Sequence, residues 1–279
     1  MNPLHFIKMA IKRAVWFMRD VRSHYFFTSP RAFGCSRGVF ESFAQAVKSA
    51  PKYAKTDYTE QTEEKSFHNF LSGFSTKIAD YEYPAFYHLG NILAKNPQAK
   101  ILDLGGGFGG HYFRYCHHTK TTPNWQVCEI AHKVKFGDQV ISHFKASTLS
   151  FTQNPSEHYD VFFSSGAIQY VEQYRSLLHT LLHKNTGGGG GITHILLERG
   201  PVQNNSKAFV TLQNSGSFYH PQVIFNKKDF LDFFKDLGFV LIDEWNDYVD
   251  SAIIPFHRDI SANNYQGFYL QNKFKSNLI

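Results

Sequence analysis

The sequence contains few cysteines, and none lies in a pattern that binds metal or carries out redox chemistry. Cys35, Cys116 and Cys128 are far apart, and no Cys-x-x-Cys pair is present. An odd number of widely spaced cysteines argues against a disulfide framework. We therefore expect a protein of a reducing compartment and assign it to the cytoplasm.

The sequence also lacks long apolar runs and a large excess of charge of one sign. No segment approaches the roughly 18 apolar residues of a membrane-spanning helix, and the N-terminus lacks a small-residue cleavage site after a short apolar stretch. We expect a protein that neither spans a membrane nor is secreted by that route. The net charge is only +6, and the cations are spread along the chain, which predicts no nucleic-acid partner.

The composition that remains is that of a folded protein with a large core. Of the 279 residues, 42% are hydrophobic, 16% are aromatic and 19% are charged. Such a chain can bury enough apolar surface to fold, so we do not expect intrinsic disorder over most of its length. The length suits one large domain, or a core domain with appendages.

The first residues predict a basic amphipathic helix. Apolar side chains recur at spacings of three and four residues, which places them on one helical face: Leu4, Ile7, Ile11, Val15 and Met18. Five cations accompany them: Lys8, Lys12, Arg13, Arg19 and Arg22. Two interpretations stay open: residues 1–22 make a peripheral contact with the inner face of an anionic membrane, or the apolar stripe packs on the rest of the protein.

Residues 31–95 predict short elements. Glycines, prolines and a polar run at 56–64 interrupt any long helix. We expect helices at 42–50 and 75–95, with a kink or break at Pro84. Residues 1–95 are therefore predicted to be an N-terminal helical extension, and residues 96–279 the main domain.

From residue 99 onward, short apolar runs alternate with helical stretches, which is typical of an α/β protein with a parallel sheet. Strands are predicted at 100–104, 126–129, 159–164, 193–198, 240–245 and 267–271. Helices are predicted at 110–118, 133–143, 173–184 and 228–237. The five glycines at 187–191 precede a strand rather than a helix, so we expect a flexible turn there and not a phosphate loop.

The most informative segment is ILDLGGGFGGHYFRYC, residues 101–116, in which a strand, a glycine cluster and a helix follow one another. Glycines allow a sharp turn and close approach of the backbone to a ligand, and the helix that follows presents free N–H groups. Gly105, Gly107 and Gly110 match G-x-G-x-x-G, whereas Gly105, Gly107 and Gly109 match G-x-G-x-G. The spacing alone does not distinguish a dinucleotide from S-adenosylmethionine.

Two acids near the glycines are suited to bind the ligand, and one of them favours S-adenosylmethionine. Asp103 lies two residues before the first glycine, where a buried carboxylate would repel a pyrophosphate but attract an ammonium or a sulfonium group. Glu129 ends the next predicted strand and can accept hydrogen bonds from ribose hydroxyls. A ribose acid fits both ligands, so the preference rests on Asp103.

These residues resemble the motifs of class I S-adenosylmethionine-dependent methyltransferases. The resemblance implies a Rossmann-like fold with a mostly parallel seven-stranded sheet, and S-adenosyl-L-methionine as cofactor. It also implies that the glycine motif, the ribose acid and the loop after the fourth strand bind that cofactor: Asp103, Gly105, Gly106, Gly107, Phe108, Gly109, Glu129, Ser164, Ser165 and Gly166.

A narrower resemblance extends along most of the chain. Six segments are similar, in the same order, to an uncharacterised methyltransferase family whose members accompany surface-polysaccharide genes. The segments are 38–46, 102–115, 124–129, 162–174, 195–202 and 266–271. Glu198-Arg199 stands where that family often has Asp-Arg, and the five-glycine turn is unusual. The resemblance implies O-methylation of a saccharide or related small-molecule acceptor in a cell-surface pathway.

For catalysis, the strand ends offer Glu198 and His111 as candidates, because ligands of such sheets bind outside the carboxyl ends of the strands. Two other classes stay open: an NAD(P)-dependent oxidoreductase that uses Gly110 as its third glycine, and a catalytically silent scaffold with the same fold. No metal site is expected, since the His179 and His183 pair has no carboxylate ligand beside it. The sequence predicts no oligomeric state.

Overall fold

The protein is described from a computed structural model that covers residues 3–54, 60–155, 158–183, 191–216 and 218–273. Its main sheet has seven strands in the order β10-β11-β6-β5-β2-β3-β4. All neighbours from β4 through β6 pair in parallel, whereas β11 is antiparallel to both β6 and β10. The strands are β2 (Lys100–Leu104), β3 (Asn124–Cys128), β4 (Leu149–Thr152), β5 (Val161–Ser165), β6 (His194–Gly200), β10 (Phe239–Asp247) and β11 (Tyr265–Asn272).

A second, four-stranded sheet has the order β1-β8-β9-β7. Its strands are β1 (Ser36–Phe40), β7 (Val202–Gln203), β8 (Phe209–Asn214) and β9 (Tyr219–Asn226). Strand β1 comes from the predicted N-terminal extension, yet it pairs antiparallel with β8 of the predicted main domain. The extension is therefore not helical throughout, while the division at residue 95 stays a prediction.

Helices cover both faces of the main sheet. They are α1 (Pro3–Phe26), α2 (Phe43–Lys48), α3 (Glu60–Gly73), α4 (Tyr83–Lys95), α5 (Gly110–Thr119), α6 (Ala131–Val134), α7 (Gly137–Phe144), α8 (Tyr174–His183) and α9 (Lys227–Asp236). Alternate residues of the central strands enter opposite cores: Leu102 and Phe162 pack on one face, Ile101 and Phe163 on the other. This alternation is the period of a β-strand covered on both sides.

The predicted α/β fold with a mostly parallel seven-stranded sheet is confirmed. Strand β2 has the predicted bounds, and the other five predicted strands are present with ends shifted by one or two residues. Strand β4, helix α3 and the second sheet were not predicted, and three of the predicted elements differ. The helix predicted at 133–143 is divided into α6 and α7, the one predicted at 75–95 begins only at Tyr83, and the predicted turn at 187–191 lies outside the described residues except for Gly191.

The late start of α4 has a local cause. Pro84 occupies the first turn of the helix, where its missing N–H costs nothing and its fixed φ suits helical geometry. A short 3-10 helix, Asp80–Glu82, precedes it. This turn brings Glu82 into the core, where its carboxylate is 1% exposed.

Buried His194 makes the stability of the fold depend on pH. Its Nδ1 lies 2.9 Å from the Tyr269 hydroxyl, and burial lowers its pKa to about 4 from 6.5. As the pH falls below 6.5, the His194 imidazole takes up a proton in the unfolded chain before it does so in the folded protein. The contribution of His194 to the free energy of unfolding is therefore complete above pH 6.5 and declines down to about pH 4, by about 3 kcal/mol at the most. We expect His194→Gln to flatten this decline in urea unfolding between pH 7 and pH 4.5.

Exposed His117 provides the control for this prediction. His117→Gln removes an imidazole that is in water in both states, so the slope of stability against pH should remain that of the unaltered protein. An equally steep decline in His194→Gln would contradict the assignment.

Candidate functional site

The site is built around the turn between β2 and α5. Gly105, Gly107 and Gly109 have φ values of +73°, +62° and +85°, a left-handed region that favours glycine. The Gly105 N–H donates to the Cys128 carbonyl at 2.9 Å, which fastens the turn to the end of β3. A Cβ at Gly105 would lie 2.2 Å from the Ala167 Cβ, so the loop after β5 closes on this turn.

Asp103 is buried directly beneath the turn. It is 0% exposed, and its Oδ2 accepts a hydrogen bond from the Trp125 indole at 3.1 Å. A Cβ at Gly106 would lie 2.2 Å from the same oxygen, so Gly106 is required for the backbone to pass over the carboxylate. The other oxygen, Oδ1, is buried and has no hydrogen-bond partner among the described residues.

His111 lies between Asp103 and Glu82. Its Nδ1 is 3.6 Å from Asp103 Oδ2 and its Nε2 is 3.7 Å from Glu82 Oε1. Glu82 is held by Arg114, whose Nε and terminal nitrogen donate to Oε1 at 2.8 and 2.7 Å. His111 Nδ1 is itself buried without a hydrogen bond within the described part of the chain. Sequence reasoning missed Glu82, because no local pattern separates it from an ordinary helix-start acid.

Glu198 lies near the end of β6, opposite Ser165 of β5 in the sheet register. It is 3% exposed, and neither carboxylate oxygen has a hydrogen-bond partner in the described residues; the same is true of the Ser165 hydroxyl oxygen. Burial raises the pKa of Glu198 well above its usual range, and the Glu82 and Asp103 carboxylates raise it further, while the nearby Ser165 hydroxyl and Arg199 guanidinium lower it by less than burial raises it. Glu198 therefore belongs to one electrostatic cluster with these two acids.

Arg199, next to Glu198 in the chain, is paired with an acid outside this cluster. Its φ is +55°, and its guanidinium donates to Asp250 at 2.5 and 2.7 Å and lies 5.0 Å from the centre of the Tyr81 ring. Gly166, whose φ is +64°, packs against the Arg199 side chain. Arg199 thus shapes the loop after β5 while its charge is neutralised elsewhere.

Glu129 borders the turn from the β3 side. Its Oε1 accepts from the Gly107 N–H at 3.1 Å and from Lys133 Nζ at 3.2 Å, and its Oε2 accepts from the Ile130 N–H at 3.0 Å. The carboxylate therefore lies against the glycine turn. The ribose contact itself stays a prediction.

An open cleft of about 620 Å³ lies beside the turn and is covered by α3. Gly107, Phe108 and Lys133 line one side, and α3 supplies the other. The volume is within the range of small-molecule sites. Glu63 of α3 also lines the cleft; burial raises its pKa, and its Oε2 has no partner among the described residues. The prediction that the polar run at 56–64 interrupts any long helix is wrong, because the 14-residue α3 begins inside that run at Glu60.

Two predicted cofactor residues have structural contacts. The Ser164 hydroxyl donates to the Leu104 carbonyl at 2.9 Å, which joins β5 to β2. The Phe108 ring is 7% exposed and packs 5.7 Å from Phe67 and 5.5 Å from Phe70 of α3. The structure brings the remaining predicted residues together at the carboxyl edge of the sheet. Their contact with a cofactor, and that of Ser164 and Phe108, stays a prediction.

The second sheet approaches the same edge. Tyr170, in the loop after β5, donates from its hydroxyl to Gln213 of β8 at 2.6 Å. The Tyr170 ring also lies 6.3 Å from His220 of β9. The second sheet therefore borders the loop that follows Ser165 and begins at Gly166. In the part of the chain that the structure describes, no cluster of three or more potential ligands could bind a metal ion.

Comparison with solved structures identifies the fold. A candidate sarcosine dimethylglycine methyltransferase from Galdieria sulphuraria matches with a TM-score of 0.50 and 10% identity over 77% of this chain and 98% of that one. The [4+2]-cyclase SpnF matches with a TM-score of 0.49 and 9% identity over 80% and 99%. The 1,6-didemethyltoxoflavin-N1-methyltransferase of Burkholderia thailandensis matches with a TM-score of 0.47 and 11% identity over 80% and 94%.

Likeness at such low identity shows the fold alone, which is the Rossmann-like fold of class I S-adenosylmethionine-dependent methyltransferases. No protein-family model matches the chain, and no curated protein matches its sequence.

Proposed function

We propose that this protein is an S-adenosylmethionine-dependent methyltransferase that O-methylates a saccharide or related small-molecule acceptor. The observation that carries the proposal is a group of buried polar atoms without partners among the described residues, at the glycine turn: Asp103 Oδ1, His111 Nδ1, Ser165 Oγ and both oxygens of Glu198. Unpaired buried polar atoms are costly. A ligand that donates hydrogen bonds and carries positive charge would remove this cost.

The donor set fits S-adenosylmethionine better than a nicotinamide dinucleotide. Asp103 is fully buried beneath the turn and its Oδ1 has no hydrogen-bond partner among the described residues, and a carboxylate there favours an ammonium and a sulfonium and opposes a pyrophosphate. When bound, S-adenosylmethionine supplies an activated methyl group. The N–H groups of Gly105 and Gly107 already donate to Cys128 and Glu129, so their carbonyls, together with Asp103, would bind the ammonium of the cofactor's methionine end. Glu129 would bind the ribose hydroxyls.

Glu198 is our candidate for the base. An acceptor hydroxyl must lose a proton when its oxygen is methylated, and a base is most effective when its pKa lies near the working pH. The raised pKa of Glu198 moves this carboxyl in that direction, and its oxygens have no partner among the described residues. Ser165, opposite Glu198, would position the same hydroxyl. His111 is the second candidate.

The acceptor class rests on the narrower sequence resemblance. Tyr170 and Gln213 present an aromatic ring and an amide beside the loop after β5, and such groups are suited to stack on and hydrogen-bond to a sugar. A cell-surface pathway and a cytoplasmic location are parts of the same proposal.

Calorimetric titration with S-adenosylmethionine, S-adenosylhomocysteine, NADH and NADPH tests the cofactor. We expect S-adenosylmethionine and S-adenosylhomocysteine to bind, and Gly107→Arg to lower their affinity by about tenfold to a hundredfold. A loss of that size is what a misoriented ligand and one lost strong contact can cause. Gly107 has open space at its Cβ position, so the new side chain enters the cleft rather than the core.

Gly34→Arg is the matched control, because Gly34 also has a positive φ, +79°, and open space at its Cβ position. It should show the same backbone strain and unchanged binding. Binding of only NADH or NADPH would support the oxidoreductase instead. No binding of any of the four ligands would support the scaffold.

A further inference from the structure

The N-terminal helix α1 contacts the rest of the protein through one face. Asp20 accepts from the Arg258 guanidinium at 2.6 and 2.8 Å, and the Phe17 ring lies 5.9 Å from that of Phe256. From Ile7 to Arg19 every residue of the helix is nevertheless exposed. Most of the helix therefore extends along or beyond the surface with little packing of its own.

The opposite face carries an exposed apolar stripe. Ile7, Ile11, Val15 and Met18 are 55%, 59%, 42% and 62% exposed. Nine residues, or about two and a half helical turns, separate Ile11 from Asp20, so the stripe and the docked face point in opposite directions. An α-helix with an uncovered apolar stripe is marginal in water. A partner that covers the stripe would stabilise it.

The charges beside the stripe define that partner. Residues 3–26 contain five Lys and Arg and one acid, and that acid, Asp20, is already paired with Arg258. Lys8, Lys12 and Arg19 follow one edge of the stripe, by the helical spacing. A second copy of the chain would bring like charges together, whereas anionic head groups complement them. No helix in the described part of the chain has the length and apolar composition to cross a bilayer.

We propose that α1 binds the surface of an anionic membrane, with the Ile7, Ile11, Val15 and Met18 stripe in the acyl boundary and the flanking cations on the head groups. Amphipathic helices of this kind lie in the plane of the interface. Trp16 and Phe17, 43% and 61% exposed, lie on the docked side and keep the helix attached to the body. The proposal is independent of the cofactor and of the reaction.

Co-sedimentation of the full chain with vesicles tests it. We expect binding to vesicles with about one-third phosphatidylglycerol, little binding to pure phosphatidylcholine, and a loss of about fivefold for each cation replaced in Lys8→Gln and Lys12→Gln. Ile11→Glu should weaken binding at least about tenfold, since it brings an acid into the apolar boundary beside anionic lipid.

Met9→Glu is the matched control. Met9 is also exposed, 43%, and lies on the same helix away from the stripe, so its variant should bind within about twofold of the unaltered chain. Circular dichroism shows whether both variants keep their helix content. The proposal would be overturned if Met9→Glu and Ile11→Glu weakened vesicle binding equally, or if binding did not depend on lipid charge. It would also be overturned if the protein were a dimer that Ile11→Glu dissociates, since the stripe would then contact a second copy of the chain.

Discussion

Glu198→Gln is expected to lower the rate of methyl transfer by about a hundredfold to ten-thousandfold, the usual contribution of a positioned base. The substitution keeps the size of a side chain that is 3% exposed, so the packing around β6 should remain. Binding of S-adenosylmethionine should change by no more than a few fold, because Asp103 and the glycine turn remain. Single-turnover rates and calorimetric titration separate the two effects.

The same substitution should stabilise the protein. Burial raises the pKa of Glu198 from 4.5, so the unfolded chain loses this proton first as the pH rises. Stability that is complete below about pH 4.5 therefore declines as the pH rises toward the folded pKa. Glu198→Gln removes the titrating group, and its gain in urea unfolding should be larger at pH 8 than at pH 5.

Glu41→Gln controls for the loss of one negative charge, since Glu41 is exposed and lies outside the cluster. It should leave rate and stability unchanged. A Glu198→Gln enzyme with full activity would remove Glu198 from the reaction, and one that is destabilised equally at both pH values would show a purely structural carboxylate.

Gly106→Ala is expected to damage both fold and cofactor binding. The added Cβ would meet the Asp103 carboxylate, at 2.2 Å from Oδ2 and 2.5 Å from Cγ. Trp125 and the core around Asp103 prevent that side chain from moving freely. We expect a loss of about 1–3 kcal/mol in the free energy of unfolding and about a hundredfold in affinity for S-adenosylmethionine, because the turn that holds the ligand must shift.

Gly90→Ala is the control for the added methyl group. Gly90 lies within α4, and the nearest atom to its added Cβ is the Tyr115 hydroxyl at 3.8 Å. Alanine favours the helix, so this variant should gain about 0.5–1 kcal/mol and keep full affinity. Urea unfolding and titration measure both quantities. If Gly106→Ala were as stable as the unaltered protein and bound S-adenosylmethionine equally well, the turn would have space for a Cβ beside Asp103, which contradicts the 2.2 Å distance.

Local patterns were sufficient to predict the centre of the fold and the place of several candidate site residues at one edge of the sheet. The apolar run of β2, the acid Asp103 and the glycines follow one another in the chain, so their order alone indicates a strand, a tight turn and a helix. Glu129 was predictable as well, since parallel strands end at one edge of a sheet. Glu82 and Glu63 were not, because their positions depend on how α3 and the turn before α4 pack on the sheet.

The second sheet was missed for a related reason. Its strands bury polar side chains such as Thr211, Asn214 and Gln222, so they lack the alternation of apolar and polar residues that predicts a strand. Gln222 instead accepts from the Tyr265 hydroxyl at 3.2 Å and donates to Ser36 at 3.1 Å. Only the assembled structure shows that Asn214 and Gln222 have partners.

The second sheet also bears on how the chain is made. The Asn214 amide donates to the Phe27 carbonyl at 2.7 Å, although the two residues are 187 positions apart in the chain. Strand β1 is separated from its partner β8 by a similar length of sequence. At ribosomal speeds the N-terminal part would be outside the tunnel for roughly 10–40 seconds before its partner strand appears. During that interval β1 is an unpaired edge, so a nascent chain stalled before residue 209 should depend on chaperones more than the finished protein does.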